Sequence, residues 1–346
     1  MTVDAVQLTR ALVDIESITG QEWLVGEFLY AHLQDLAGKT GGKVERMEVG
    51  PQRFNVLAMW GEPVVTLSTH MDTVPPFFPS REDEEFLWGR GACDAKGIIA
   101  AMIAAAEKLL TEGMRNFALL FVVGEEKDSL GAHAAARAGR GSKYLINGEP
   151  TENRLAIGSK GALRYELVAH GKLAHSAYPE LGDSAIHKLL DVIEAIRRIP
   201  LPEDALLGKA TLNVGTISGG RATNVVADEA RAELMFRVVG EPGALRQAVA
   251  SATEGRVEAR EALYTPALRM DAVDGLPTTV VSFTTDIPNF RGAWGKPLLI
   301  GPGSIHLAHT AEERITKKDL RDAVEIYAGL TAMLMRSSGM LRYRTS

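Results

Sequence analysis

The chain has 346 residues, 46% of them hydrophobic and 24% charged, with a formal net charge of −6. Its length exceeds the ~250–300 residues at which single cores stop growing, so one large domain plus a smaller one is expected. The composition is that of a globular chain, and the acidic balance gives no electrostatic footprint for nucleic acid.

The N-terminal Met-Thr-Val-Asp-Ala-Val carries no basic region followed by an apolar core, so no signal peptide is expected. No apolar stretch approaches the ~18 residues that suggest a membrane span. The single cysteine, Cys93, rules out an intramolecular disulfide and fits a reducing compartment. These features read as a soluble, cytoplasmic protein with no membrane or nucleic-acid partner. Arg-Glu-Asp-Glu-Glu at 81–85 reads as a solvated loop.

Along the chain, Val6, Leu8, Leu12 and Ile15 recur on one helical face; Ser17–Gly20 breaks the pattern and Glu22–Leu36 resumes it. Residues 54–59 and 63–69 switch to short β-branched runs, the second apolar at nearly every position, as in a strand covered on both faces. Residues 97–112 predict a helix, and 117–123 and 143–146 two more strands, an α/β arrangement with a helix-covered sheet to about 158. From 162 to 263 the pattern is strand, helix, strand, strand, helix, strand, with helices at 184–198 and 242–251. That order is ferredoxin-like. The last part returns to α/β texture and ends in a helix at 318–336. The expected organisation is a catalytic domain in two pieces, 1–158 and 264–346, with a smaller domain, 159–263, inserted between them.

The chemistry-bearing residues follow strands. His70-Met-Asp72 puts a carboxylate where it can accept the imidazole N–H and fix its tautomer, as beside a metal-bound histidine; a hydrogen-bonded turn histidine is the plainer reading. Asp94 lies in a glycine-framed loop, Gly89-Arg-Gly-Ala-Cys-Asp-Ala-Lys-Gly, which lacks the spacing of a phosphate-binding loop. Its neighbour Cys93 is assigned to packing. Glu125-Glu126 ends the third strand: one carboxylate can bind a cation while the other carries a proton, or both can sit on an exposed turn. Glu149 ends the next strand, and His309 follows Gly301-Pro-Gly-Ser304, with His306 close by as a rival. A set of His, Asp and Glu without cysteine, all expected after strands of one sheet, suits two Zn²⁺, with Co²⁺ or Mn²⁺ as substitutes.

His-Met-Asp-Thr-Val-Pro at 70–75, the Asp94 loop, Glu125-Glu126, Gly-Glu-Pro-Thr at 148–151 and the His-x-x-x-Glu of His309–Glu313 resemble the two-zinc metallohydrolase family of acetylornithine deacetylase, succinyl-diaminopimelate desuccinylase, aminoacylase and glutamate carboxypeptidase. The resemblance spans essentially the whole chain. It implies an α/β fold, with a helix-flanked mixed sheet in the catalytic domain and an inserted ferredoxin-like α+β lid and dimerisation domain. It also implies that Asp94 bridges two Zn²⁺, with His70 and Glu149 completing one site and Glu126 and His309 the other. Glu125 would be the general base, Asp72 the orienter of His70, and the Asp94–Ala95 peptide would be cis.

The same resemblance implies that His175, in Gly171-Lys-Leu-Ala-His-Ser-Ala-Tyr-Pro, reaches a partner subunit's site in a homodimer and polarises the scissile carbonyl. Asn224 and Arg237 would hold substrate, Arg237 by its carboxylate, and Gly303 and Ser304 are further substrate-binding candidates. From the residues alone, His175 could equally be a plain surface histidine and Arg237 part of a surface ion pair. A glutamate at 149 goes, within the family, with N-acyl amino-acid hydrolases and carboxypeptidases. The expected activity is deacylation of a small N-acyl amino acid, acetylornithine- or succinyl-diaminopimelate-like, with release of lysine or ornithine from a carrier as a variant. A carboxypeptidase or dipeptidase is the alternative, and a non-catalytic metal-binding scaffold the reading from another class.

Overall fold

Asp4 starts the first helix, α1 (Ala5–Val13), where its carboxylate accepts the Val6 and Gln7 amides, a cap worth about 1 kcal/mol. The structure, a computed structural model, describes residues 3–340. Contacts divide the chain into two units. One runs to Ile157 and resumes at Met270–Thr279 and from Thr285 onward; the other is Gly158–Arg269 with Val280–Thr284.

In the first unit α2 (Trp23–Thr40) leads into β1 (Lys43–Gly50), β2 (Arg53–Trp60) and β3 (Val65–His70). Then come α3 (Lys96–Thr111), β4 (Phe117–Val122), α4 (Leu130–Ala136), β5 (Tyr144–Asn147) and β6 (Leu155–Ser159). The later elements β11 (Lys296–Leu299) and α7 (Lys317–Met340) complete the unit. Seven of its sheet's nine strands run in the order β1-β2-β4-β3-β5-β11-β6. β4, β3, β5 and β11 run parallel, and β1, β2 and β6 pair antiparallel at the flanks. The sheet is therefore mixed.

Period-two alternation explains why its strands read as unbroken apolar runs. Phe117, Leu119 and Phe121 of β4 enter a core with α2, α3 and α7, while Ala118, Leu120 and Val122 pack on the other face with α4, Phe290 and Trp294. Truncating one such core side chain to alanine would cost about 2–5 kcal/mol. Both faces are helix-flanked.

Two elements escape the sequence pattern. β1 is an edge strand, Lys-Val-Glu-Arg-Met-Glu-Val-Gly, whose charges suit an edge and mask its alternation. α4 has only seven residues and no side-chain cap, too short for helical periodicity to show. A further three-stranded sheet joins Arg81–Glu82, Phe86–Trp88 and Arg314–Thr316, which corrects the reading of 81–85 as a loop at residues 81 and 82, while 83–85 form an exposed turn. It also corrects the placement of Asp94, which follows a strand of this small sheet rather than of the main one.

The second unit contains β7 (Gly161–His170), α5 (Ala185–Arg197), β8 (Thr211–Gly219), β9 (Glu229–Val238), α6 (Gly243–Thr253) and β10 (Glu258–Thr265). Its sheet order is β8-β9-β7-β10, antiparallel throughout, the order of a ferredoxin-like fold. Leu163, Leu167, Leu234 and Phe236 point to a core closed by Leu189, Val192 and Ile196 of α5. Among the described residues no helix is long and apolar enough to cross a membrane.

Candidate active site

The parallel strands determine where the polar side chains gather. Residue pairing aligns His70 with Val122 and Ser68 with Asn147, so β3, β4 and β5 end at one edge. His70 is the last residue of β3, Glu125 and Glu126 follow β4, and Glu149 follows β5. This is the carboxyl edge where open α/β sheets present their ligand-binding groups.

There the side chains form two groups, His70–Asp94–Glu149 and Asp94–Glu126–His309, each with its ligand atoms within 4.8 Å of one another. Asp94 belongs to both. Its Oδ1 lies 2.9 Å from His70 Nε2 and its Oδ2 3.4 Å from His309 Nε2, which is itself 2.9 Å from Glu126 Oε1. His309 stands at φ 62°, a left-handed backbone that non-glycine residues rarely adopt. His306 is exposed and belongs to neither group. The Asp94–Ala95 peptide is cis.

Two buried carboxylates hold the loops that carry these groups. Asp72 Oδ1 accepts the Gly124 and Glu125 amides at 3.0 and 3.1 Å, and Oδ2 accepts Thr19 Oγ1 and the Glu126 amide at 2.7 and 3.2 Å. His70 Nδ1 donates to the Asp72 backbone carbonyl at 3.0 Å, with the Asp72 carboxylate 3.5 Å away. Asp72 thus braces the Glu125–Glu126 turn as well as facing His70. Glu313 is the counterpart on the Asp94 loop: Oε1 accepts the Gly91, Cys93 and Asp94 amides, and Oε2 pairs with Arg90 at 2.6 Å. In the sequence Glu313 is only the last residue of the His-x-x-x-Glu spacing, which assigns it no role.

The electrostatics call for cations. Burial pushes the Glu125 and Glu149 carboxyls well above their usual range, and repulsion from Glu149 adds to the rise at Glu125. Burial, then Asp94, raises Glu126. Burial alone would raise Asp94 too, but the His309 and His70 hydrogen bonds hold it well below the carboxylate range. Those with Asp94 and Glu126 lift His309 to about 10; at His70 burial opposes the rise, and the bonds with Asp72 and Asp94 outweigh it. Asp286, a buried carboxylate with no obvious sequence signal, is lifted by burial to about 6, and its Oδ2 has no partner. Glu149 Oε1 is likewise buried without a hydrogen bond. Acids outnumber the imidazoles, and an orphaned carboxylate oxygen faces them; that donor set fits divalent metal ions.

Of the remaining candidates, Gly303 approaches Cys93 so closely that a Cβ there would lie 2.6 Å from Sγ. Ser304 Oγ donates to Glu152 at 2.8 Å, and its carbonyl faces Cys93 Sγ at 3.4 Å. Cys93 is fully buried and burial raises its thiol well up, as packing rather than nucleophilic use requires. In the second unit His175 is exposed, and its Nδ1 accepts the Ala177 amide at 3.1 Å, leaving Nε2 to carry the neutral ring's proton. The Asn224 carbonyl accepts the Ser176 amide at 3.0 Å. Arg237 is half-buried with no acidic partner among the described residues; the surface ion pair does not form.

A model described as Peptidase family M20/M25/M40 matches residues 66–332. The chain belongs to this family. A peptidase M20 domain-containing protein of Schizosaccharomyces pombe is 38% identical, over 96% of this chain and 85% of its own. A probable carboxypeptidase of Aspergillus oryzae is 36% identical, over 93% and 85%. Among solved structures, an M20 family metallo-carboxypeptidase from Sulfolobus solfataricus superposes with a TM-score of 0.77 over 96% of this chain and 99% of its own. At 16% identity that likeness shows the fold. This M20 chain is a metal-dependent hydrolase acting on amide bonds.

Proposed function

We propose that this M20 enzyme cleaves the amide bond next to a C-terminal amino acid with a free carboxylate, as a carboxypeptidase or dipeptidase acting on small peptides. The observation that carries the reading is the pair of ligand groups sharing Asp94, with Glu125 beside them. Two Zn²⁺, replaceable by Co²⁺ or Mn²⁺, would be held by His70, Asp94 and Glu149 and by Asp94, Glu126 and His309. When bound, the metal pair polarises the amide carbonyl and acidifies water.

The chain's own residues do the rest. Glu125, braced through its amide by Asp72, takes the proton of the attacking water and returns it to the leaving amine. Its raised proton affinity suits that exchange. His175, whose Nδ1 is taken by the Ala177 amide, donates from Nε2 to the developing oxyanion in the site of the partner subunit of a homodimer. Arg237, half-buried and unpaired, receives the substrate carboxylate bidentately, with Asn224, Gly303 and Ser304 as further contacts.

The Aspergillus relative's name, probable carboxypeptidase, is what supports preferring peptide cleavage to N-acyl amino-acid deacylation, the order opposite to the sequence expectation. Glu149 accommodates both. A panel of dipeptides against N-acetyl and N-succinyl amino acids separates them: dipeptide turnover exceeding deacylation supports the proposal, and the reverse overturns its substrate class.

The inserted unit is proposed as lid and dimerisation module. Its edge strand β8 exposes Ile217, and α5 exposes Leu190, apolar groups that a second copy would cover. A single buried cysteine suits the cytoplasm.

A further inference from the structure

We propose that Glu313 is a positioning residue for the metal pair, fixing the shared ligand Asp94 relative to the turn that carries His309. The proposal rests on the metal-centre reading and adds to it how the two halves of the cage are kept in register.

The fold brings Glu313 to this task through strand pairing. Arg314 pairs with Trp88 in the small sheet, and the Gly89 amide extends that ladder to the Glu313 carbonyl at 3.2 Å. Beyond Gly89 the backbone turns away and no strand partner remains. The Glu313 side chain takes over there: one oxygen accepts three amides in succession, Gly91 at 2.9 Å, Cys93 at 3.2 Å and Asp94 at 3.1 Å. Converging amides make a cradle for an anion. Gly91 makes the convergence possible, with φ +90° and a missing Cβ that would lie 2.9 Å from Lys96 and Thr73 side-chain carbons.

The second oxygen is matched as closely. Arg90 donates to it at 2.6 Å, is itself 2% exposed, and lies over the Phe78 ring at 5.0 Å. The pair therefore adds no net negative charge to a site already rich in carboxylates. Asp94 serves both ligand groups, and His309 sits four residues before Glu313 in a left-handed turn. Loosening this one side chain shifts a ligand of each group at once. An ion pair that served stability alone would need only Arg90; the three amides aimed at one oxygen, ending on Asp94 itself, specify the loop's position.

The test uses the full-length protein, stripped of metal and titrated with zinc against a chromogenic chelator, with the Co²⁺ absorption spectrum as a second readout. Glu313→Gln leaves one acceptor oxygen for two sets of donors, so its amide N–H₂ faces either Arg90 or the three backbone amides. Should that variant fail to fold, Arg90→Met with Glu313→Met replaces the pair by apolar volume and still leaves the three amides without their acceptor. The expected result is zinc binding about 10–100-fold weaker than wild type in the folded variant, with a changed cobalt spectrum. A folded variant with wild-type zinc affinity and spectrum overturns the proposal, whatever its thermal stability. Wild-type protein that takes up no zinc overturns the metal-centre reading, and this inference with it.

Discussion

The residues proposed to hold metal, in the first unit, and those proposed to meet substrate, in the second, are held in opposite ways. In the first, Asp72 accepts three amides from the turn that presents Glu125 and Glu126 and a fourth hydrogen bond from Thr19, and Glu313 accepts four from the loop that presents Asp94. In the second, His175 accepts one amide hydrogen bond, and Arg237 has no acidic partner among the described residues. A cage for cations must keep several like charges together before the cation arrives, so its second layer is built in. Groups meant to meet a substrate can wait without a partner, since the substrate would supply it. Damage to the first set should therefore register in metal content and stability, and damage to the second only in kinetics.

Glu125→Gln breaks this rule in an informative way, because Glu125 sits in the braced turn yet is proposed to carry protons rather than metal. Its kcat should fall by about 10²–10⁴-fold, with metal content by atomic absorption unchanged. Near-wild-type kcat would remove Glu125 from the base role. His175→Ala should lower kcat by about 10²–10³-fold while melting temperature and metal content stay at wild-type values. Lost metal there would erase the contrast between the two regions. Arg237→Met should raise KM by about 10–100-fold for substrates with a free carboxylate, and leave amidated analogues unaffected. An equal effect on both kinds of substrate would mean that Arg237 does not read the carboxylate.

The smallest effect concerns pH. In the metal-free protein His309 holds its proton up to about 10, so at neutral pH zinc must displace it. Proton and metal compete, and apparent zinc affinity should rise with pH between 6 and 8, by about tenfold per unit for each proton released. Calorimetry in buffers of different ionisation enthalpy counts those protons. A pH-independent affinity with no proton release would show that His309 is not displaced.

The larger features could be read from the chain because their signal is local. A run such as Phe117–Val122, apolar on both faces, announces a covered strand, and a carboxylate or histidine at its end announces the edge of a sheet. His70, Glu126 and Glu149 were legible on that ground. Asp94 was visible as an acid in a glycine-framed loop, although its loop leaves a separate small sheet. The residues alone left His309 and His306 as rivals; the family spacing separated them, and only His309 lies in a ligand group. Glu313 and Asp286 could not be read, because their significance arises from convergence. Three amides from residues 91–94 meet an oxygen from residue 313, and Asp286 comes to the acids beside Glu125 and Glu149 from the far end of the chain. The charged edge strand β1 was hidden for a simpler reason: a strand with one neighbour needs no continuous apolar run.

Anomalous diffraction from crystals of the zinc-loaded protein would show whether Asp94 joins two ligand groups around a pair of metals. Two peaks about 3.5–4 Å apart are expected, one bounded by His70 and Glu149, the other by Glu126 and His309, with the Asp94 carboxylate between them. A single peak, or a second one ligated by His306 in place of His309, would contradict that arrangement.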